Sequence, residues 1–278
     1  MKKISAAFDG LKFSQATLDY AIELANRDHM VINGVFLEDF LYHSFDIFDM
    51  VGSQGVSGDK LNRLLRKDRA TCDRTIALFK KICAEKQVSY VVHKDKSFAI
   101  NELIKESIYS DLTVINVIET LNHYHQERPA PFIKEFLAGA QSPVLVVPPV
   151  YHSIKRIIIL YDGHPSSVFA LKTFNSLFPW ANKYPAEVVC VSQRPLALLP
   201  DGNLIGEYVR CHYDDLVTTQ LTGDPEDVLL DRLKKVDPGA VVVMGAYSRG
   251  AVSRMFNSSM ANKLMEVLDL PLFIAHSK

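Results

Sequence analysis

The chain repeats itself. Lys3-Ile4-Ser5-Ala6-Ala7-Phe8-Asp9-Gly10 returns as Arg156-Ile157-Ile158-Ile159-Leu160-Tyr161-Asp162-Gly163, in each case an apolar run closing on an aromatic residue, Asp and Gly. A short apolar run bounded by a turn signal reads as a buried strand. Helical periodicity follows both copies, from Phe13 through Leu24 and from Pro165 through Phe178. Both openings are therefore strand, tight turn, helix. A repeat at half the chain length decides the domain question, and 278 residues suit two units of about 140 each.

The copies continue in step. Second strands are predicted at Val31–Leu37 and Glu187–Ser192, and fourth strands at Leu112–Val117 and Ala240–Met244, each after an amphipathic helical stretch. Each half closes on a proline-started apolar strand, Pro143 to Pro148 and Pro271 to His276. Alternating strands and helices predict an α/β fold with parallel sheets covered on both faces. The stiff connector 148–153 sets the expected boundaries, domains 1–148 and 152–278. The halves differ most at Glu38 to Gly58, an apolar-rich connection much longer than its counterpart at Gln193 to Tyr208. It reads as a loop packed on its own domain or as a lid or interaction surface.

Charge excludes several partners. The chain carries 31 basic and 32 acidic residues, split 18 to 19 up to Val150 and 13 to 13 after it. No global field draws in nucleic acid or an anionic membrane. No apolar run approaches the roughly 20 residues that span a bilayer, so no membrane segment is expected. The start turns acidic at Asp9 before any signal-peptide core of about 7 to 15 apolar residues, and the four cysteines show neither CxxC nor zinc spacing. A reducing cytoplasm is the expected location.

In an open parallel sheet, ligands bind beyond the carboxyl ends of the strands. That points to Asp9, Asp162 and the loops after the fourth strands. In the second half this loop runs from Met244 and Gly245 through Ser248, Arg249 and Arg254 to Ser258 and Ser259, where a helix starts. Glycine, hydroxyls and a helix N-terminus together suit a phosphate. In the first half the loop begins at Asn116, keeps no glycine and carries Glu119, which would repel phosphate; this half reads as structural.

These residues carry a family resemblance. The chain resembles a tandem universal stress protein, through Asp9-Gly10 and Asp162-Gly163, Thr222-Gly223-Asp224-Pro225, the loop from Gly245 to Ser259 and the closing strands. The resemblance covers nearly the whole chain. It implies two Rossmann-like domains of the adenine nucleotide alpha hydrolase-like type, each a five-stranded parallel sheet with helices on both faces. It also implies that they pack as an intramolecular pseudo-dimer through the closing strands, with a homodimer as a further option. Its implied ligand is ATP or another adenine nucleotide, with no metal held by the protein. The implied site has adenine near Asp162, Gly163 and Val191, ribose near Met244 and Gly245, and phosphates over Ser248, Arg249, Ser258 and Ser259. The family's nucleotide loop has three glycines, and serine stands here at two of those positions, Ser248 and Ser258. If both needed positive φ, the serines would weaken binding on the order of thirtyfold.

Other readings stand beside these. Asp162 can read a base or cap the following helix, Asp9 reads as a cap, and Ser258 and Ser259 can be N-caps. His123, His125 and His152 have no acidic or cysteine ligand spaced with them, so a metal is not expected. The basic run Lys60 to Arg69 has leucines at helical spacing and reads as a solvated helix face. No G-x-S-x-G, HExxH or P-loop signature is present, so catalysis beyond slow ATP hydrolysis is not indicated. Two functions follow: a nucleotide-binding stress-response module, or a scaffold acting through protein contacts.

Overall fold

The computed structural model describes residues 1–39, 58–119, 128–193, 198–246 and 258–276. Two compact units divide the chain, Met1–Gln141 and Ser142–Lys278.

The first unit contains β1 (Lys3–Asp9), α1 (Gln15–Asp28), β2 (Val31–Asp39), α2 (Gly58–Glu85), β3 (Tyr90–Ser97), α3 (Ala99–Ile108), β4 (Leu112–Asn116) and α4 (Pro131–Gly139). Its strands lie in the order β3-β2-β1-β4, all parallel, with Asp9 opposite Leu37 and Ile4 opposite Leu112. Parallel neighbours need a crossover, and right-handed crossovers put α1 and α2 on one face and α3 on the other. Every residue of β4 is buried, as a central strand covered on both faces must be. Helix α1 starts where Ser14 accepts from the Thr17 amide and ends at His29, which is left-handed at φ 49°.

The second unit contains β5 (Val144–Val147), β6 (Arg156–Leu160), α5 (Pro165–Leu177), β7 (Ala186–Ser192), α6 (Gly202–Arg210), β8 (Leu216–Thr222), α7 (Pro225–Leu233), β9 (Ala240–Gly245), α8 (Ser258–Val267) and β10 (Leu272–Ala275). The order is β5-β10-β9-β6-β7-β8. All neighbours are parallel except β5 and β10, which run antiparallel with Leu145 opposite Phe273. The two closing strands of the sequence repeat thus pair with each other, and β5 falls in the second unit. By the same handedness, α5 and α6 share one face. Asp224 caps α7 through the amides of Glu226 and Asp227, with Pro225 at the first helical position.

The connection from Gln193 to Tyr208 is shorter than the sequence suggests, because α6 begins inside it at Gly202. Residues 40–57, the body of the long first-half connection, lie outside the described residues, as do 120–127 with His123 and His125. Cys72, Cys83 and Cys190 are buried and form no disulfide, and burial pushes the Cys83 and Cys190 thiols up to about 11. Among the described residues no helix is long and apolar enough to cross a membrane.

Candidate functional site

Each unit presents the same three pieces at the carboxyl edge of its sheet: the turn after the first strand of the repeat, the end of the second, and the end of the fourth. In the second unit Leu160 pairs with Val189 and Ile159 with Val243. Continuing those registers brings Asp162 level with Val191 on one side and with Ala246, just past Met244 and Gly245, on the other, with β6 between β7 and β9. The predicted adenine and ribose residues therefore share one edge. Ser248 and Arg249 fall within 247–257, outside the described residues, and Ser258 and Ser259 form the first residues of α8.

Asp162 shapes the turn. Its Oδ1 accepts from the His164 amide at 2.9 Å. The cap of α5 is His164, whose Nδ1 accepts from the Ser166 amide, so the capping alternative for Asp162 gives way to a turn-forming role. Asp9 behaves alike: its Oδ1 accepts from the Leu11 amide at 2.7 Å, while Ser14 caps α1. In both repeats the acid bends the chain, and a residue two or more positions on starts the helix.

Gly163 and Gly245 are glycine for different reasons. Gly163 is left-handed at φ +78°, and a Cβ there would come within 2.6 Å of the Pro200 side chain. A Cβ on Gly245 would lie 2.4 Å from the Ser166 carbonyl oxygen and 2.9 Å from the Ser167 amide. The end of β9 thus meets the backbone of the first turn of α5 so closely that only a hydrogen fits. Packing alone explains this glycine, whatever ligand approaches it.

The first unit fills the corresponding corner with side chains. Asn116 closes β4, donates from Nδ2 to Ser14 Oγ at 3.0 Å and accepts at Oδ1 from the Ile118 amide. Glu119 is buried behind it, and burial, then the nearby charge of Asp9, raises its carboxyl well above the ordinary range against the pull of Lys12. Sequence alone cast Glu119 as a charge that would repel phosphate. Folded, it is a desolvated group whose neutral form is favoured.

Two constellations escaped the sequence reading. Tyr161 donates to the Pro200 carbonyl at 2.9 Å, fixing the start of α6 over the β6–α5 turn. At the amino end of the second sheet, Glu187 is buried on β7 and accepts from Arg156, Arg232 and Thr219 at 2.6–2.8 Å. Its equivalent on β2 is Asn33, which donates to Glu106 of α3 at 3.0 Å. Lys3 and His93 also pair with Glu106. The two clusters occupy matching places with the acid moved from helix to strand. The only hint in the sequence is a glutamate at the start of an otherwise apolar strand.

No family profile matches the chain, and no curated protein matches it in sequence. Solved structures do match in fold. The chain is similar to a universal stress protein from Archaeoglobus fulgidus DSM 4304 at 12% identity and a TM-score of 0.70, over 99% of this chain and 98% of that one. It is similar to a Pseudomonas aeruginosa UCBPP-PA14 protein that carries a provisional universal stress protein name, at 16% identity and TM-score 0.56, over 99% and 93%. A protein of unknown function from Pseudomonas aeruginosa PAO1 matches at 12% and 0.54, over 99% and 92%. At these identities the likeness is one of fold: the chain has the α/β fold of universal stress proteins.

Proposed function

We propose that the chain is a cytoplasmic universal stress-type protein that holds one adenine nucleotide, ATP, at the carboxyl edge of the second unit, as a regulatory module without a metal of its own. The observation that carries this reading is the contrast between two corners. Where Asn116 and Glu119 fill the first, the second ends in Gly245 and passes through a glycine- and hydroxyl-bearing segment to the N-terminus of α8. Asp162, Gly163 and Val191 then border the adenine, Met244 and Gly245 the ribose, and Ser248, Arg249, Ser258 and Ser259 the phosphates. We read the sequence repeats 1–148 and 152–278 as two domains of five strands each, paired as a pseudo-dimer. The antiparallel meeting of β5 with β10 supports that reading.

Denaturing the purified protein and identifying released small molecules by mass spectrometry tests the function. Recovered adenine nucleotide supports the binder. Repeatedly clean protein that also gives no heat with ATP in calorimetry decides for the scaffold. One observation favours that second reading: the polar groups at the head of α5 are engaged by the chain itself, His164 with Ser166 and Ser167 with the His164 carbonyl.

A further inference from the structure

A cavity of about 560 Å³ opens on the face that α5 and α6 share, within the range of roughly 300–1,000 Å³ of small-molecule sites. Val191, Met244 and Gly245 are absent from its lining, which shares Gly163 alone with the nucleotide corner. Its existence follows from helix length. In the first unit the 28-residue α2 runs past the β1–α1 turn, where Thr75 donates to the Gly10 carbonyl and Phe79 packs edge-on against Phe8 at 5.7 Å. In the second unit α6 has nine residues, and Pro200 just before it, not a long helix, covers the turn.

The residues facing it have changed to suit. Matching the helices from their first residues, α1 carries Asp19 and Ile22 where α5 carries Phe169 and Lys172. Ile22 is buried, whereas Phe169 is 39% exposed. An outward phenylalanine beside a lysine is a costly exposed face in a single helix, and a useful one in a binding wall. Tyr208 supplies a second ring, and the buried Tyr161 forms the floor. The walls are braced: Tyr161 is tied to the Pro200 carbonyl, and Pro200 seats against Gly163. Asp201, also in the lining, sits at the N-cap of α6 in a left-handed conformation, where its carboxylate makes no capping bond.

We propose that this cavity is a second binding site, taking a planar aromatic monoacid whose rings lie against Phe169 and Tyr208 and whose acidic group pairs with Lys172. Aromatic faces favour a flat, largely apolar body. One lysine holds one anionic group, and Asp201 turns away a polyphosphate while accepting from an N–H on the ligand. The lining carries no net charge, so a nucleoside triphosphate is a poor occupant.

The probe is 8-anilinonaphthalene-1-sulfonate, which has a sulfonate, fused rings and an N–H. The folded protein is expected to enhance its fluorescence saturably with one site. Lys172→Glu, at an exposed position that leaves folding intact, should weaken binding roughly tenfold, and Phe169→Ala by a similar factor. Saturating ATP should leave the probe bound. Unchanged affinity in both variants overturns the proposal, as does competitive displacement by ATP, which would merge the cavity with the nucleotide corner. Loss of nucleotide binding alone leaves this result standing, so the two readings fail separately.

Discussion

Asn116 Nδ2 lies 3.0 Å from Ser14 Oγ, so the residue that closes β4 is bonded to the one that caps α1. In the second repeat the same place is held by Gly245, pressed against the backbone of Ser166. One corner is joined by a side-chain hydrogen bond and the other by bare backbone contact.

The two corners should respond differently to alanine. Asn116→Ala loses two hydrogen bonds, to Ser14 Oγ and from the Ile118 amide, while Ser14 still caps, a cost of about 1–2 kcal/mol. Gly245→Ala drives a methyl into a carbonyl that cannot move without shifting α5, costing about 3 kcal/mol or more. Urea denaturation of both variants gives the comparison. A milder effect at Gly245 than at Asn116 would contradict the packing account.

Gly163→Ala should destabilise by about 1–2 kcal/mol from the left-handed backbone alone, with a further loss from the Pro200 side chain 2.6 Å away. Because Pro200 belongs to the segment before α6, the variant should also raise hydrogen exchange at Gly202 to Tyr208. Unchanged exchange there would mean that Pro200 is not held by this contact.

Much of the fold was legible because buried parallel strands are apolar throughout. β4 and β9 are buried along their whole length and stand out in the sequence, as do the Asp-Gly turns. The edge strand β8, Leu216–Thr222, alternates partly exposed residues with threonine and glutamine, so no apolar run marks it. Helix α6 hid because Gly202 and Gly206 look like loop residues. Asp162, Val191 and Gly245 could be placed at strand ends from their positions in the repeat. Tyr161 with Pro200, and Glu187 with Arg232, are 39 and 45 residues apart in the chain, and no local pattern connects them.

Glu187→Gln tests the second of those pairs. The substitution leaves the partly exposed Arg156 and Arg232 facing a neutral amide, and weakening these charge-assisted hydrogen bonds costs about 1–3 kcal/mol. The three donors hold the Glu187 carboxyl below its usual range despite burial. Its contribution is therefore present above the ordinary pKa of 4.5 and fades as pH falls through the lower folded value. Wild type minus variant stability, measured from pH 7 downward, should shrink on the acid side.

Glu119 has the opposite sign. Its folded pKa is raised, so above about 4.5 the unfolded chain releases a proton that the folded chain keeps. Stability should fall as pH rises from that value until the folded group also ionises. Glu119→Gln should flatten this slope and be the more stable protein at pH 8. Asp9→Asn should only reduce the slope, since burial is the larger cause and the Asp9 charge the smaller. A slope that survives in Glu119→Gln would have to come from another group.

The role of Asp162 can be divided by two substitutions. Asparagine can keep the acceptor for the His164 amide and so the turn, while alanine removes it. Stability should therefore hold within about 0.5 kcal/mol in Asp162→Asn and drop by about 1 kcal/mol in Asp162→Ala. Nucleotide binding separates differently. If the carboxylate accepts from the adenine amino group, both variants lose ATP affinity by roughly tenfold or more. If Asp162 serves only the turn, asparagine binds like the wild type and alanine alone suffers. Calorimetric titration with ATP beside urea denaturation reads both quantities on the same samples, so a fold defect is told from a lost contact.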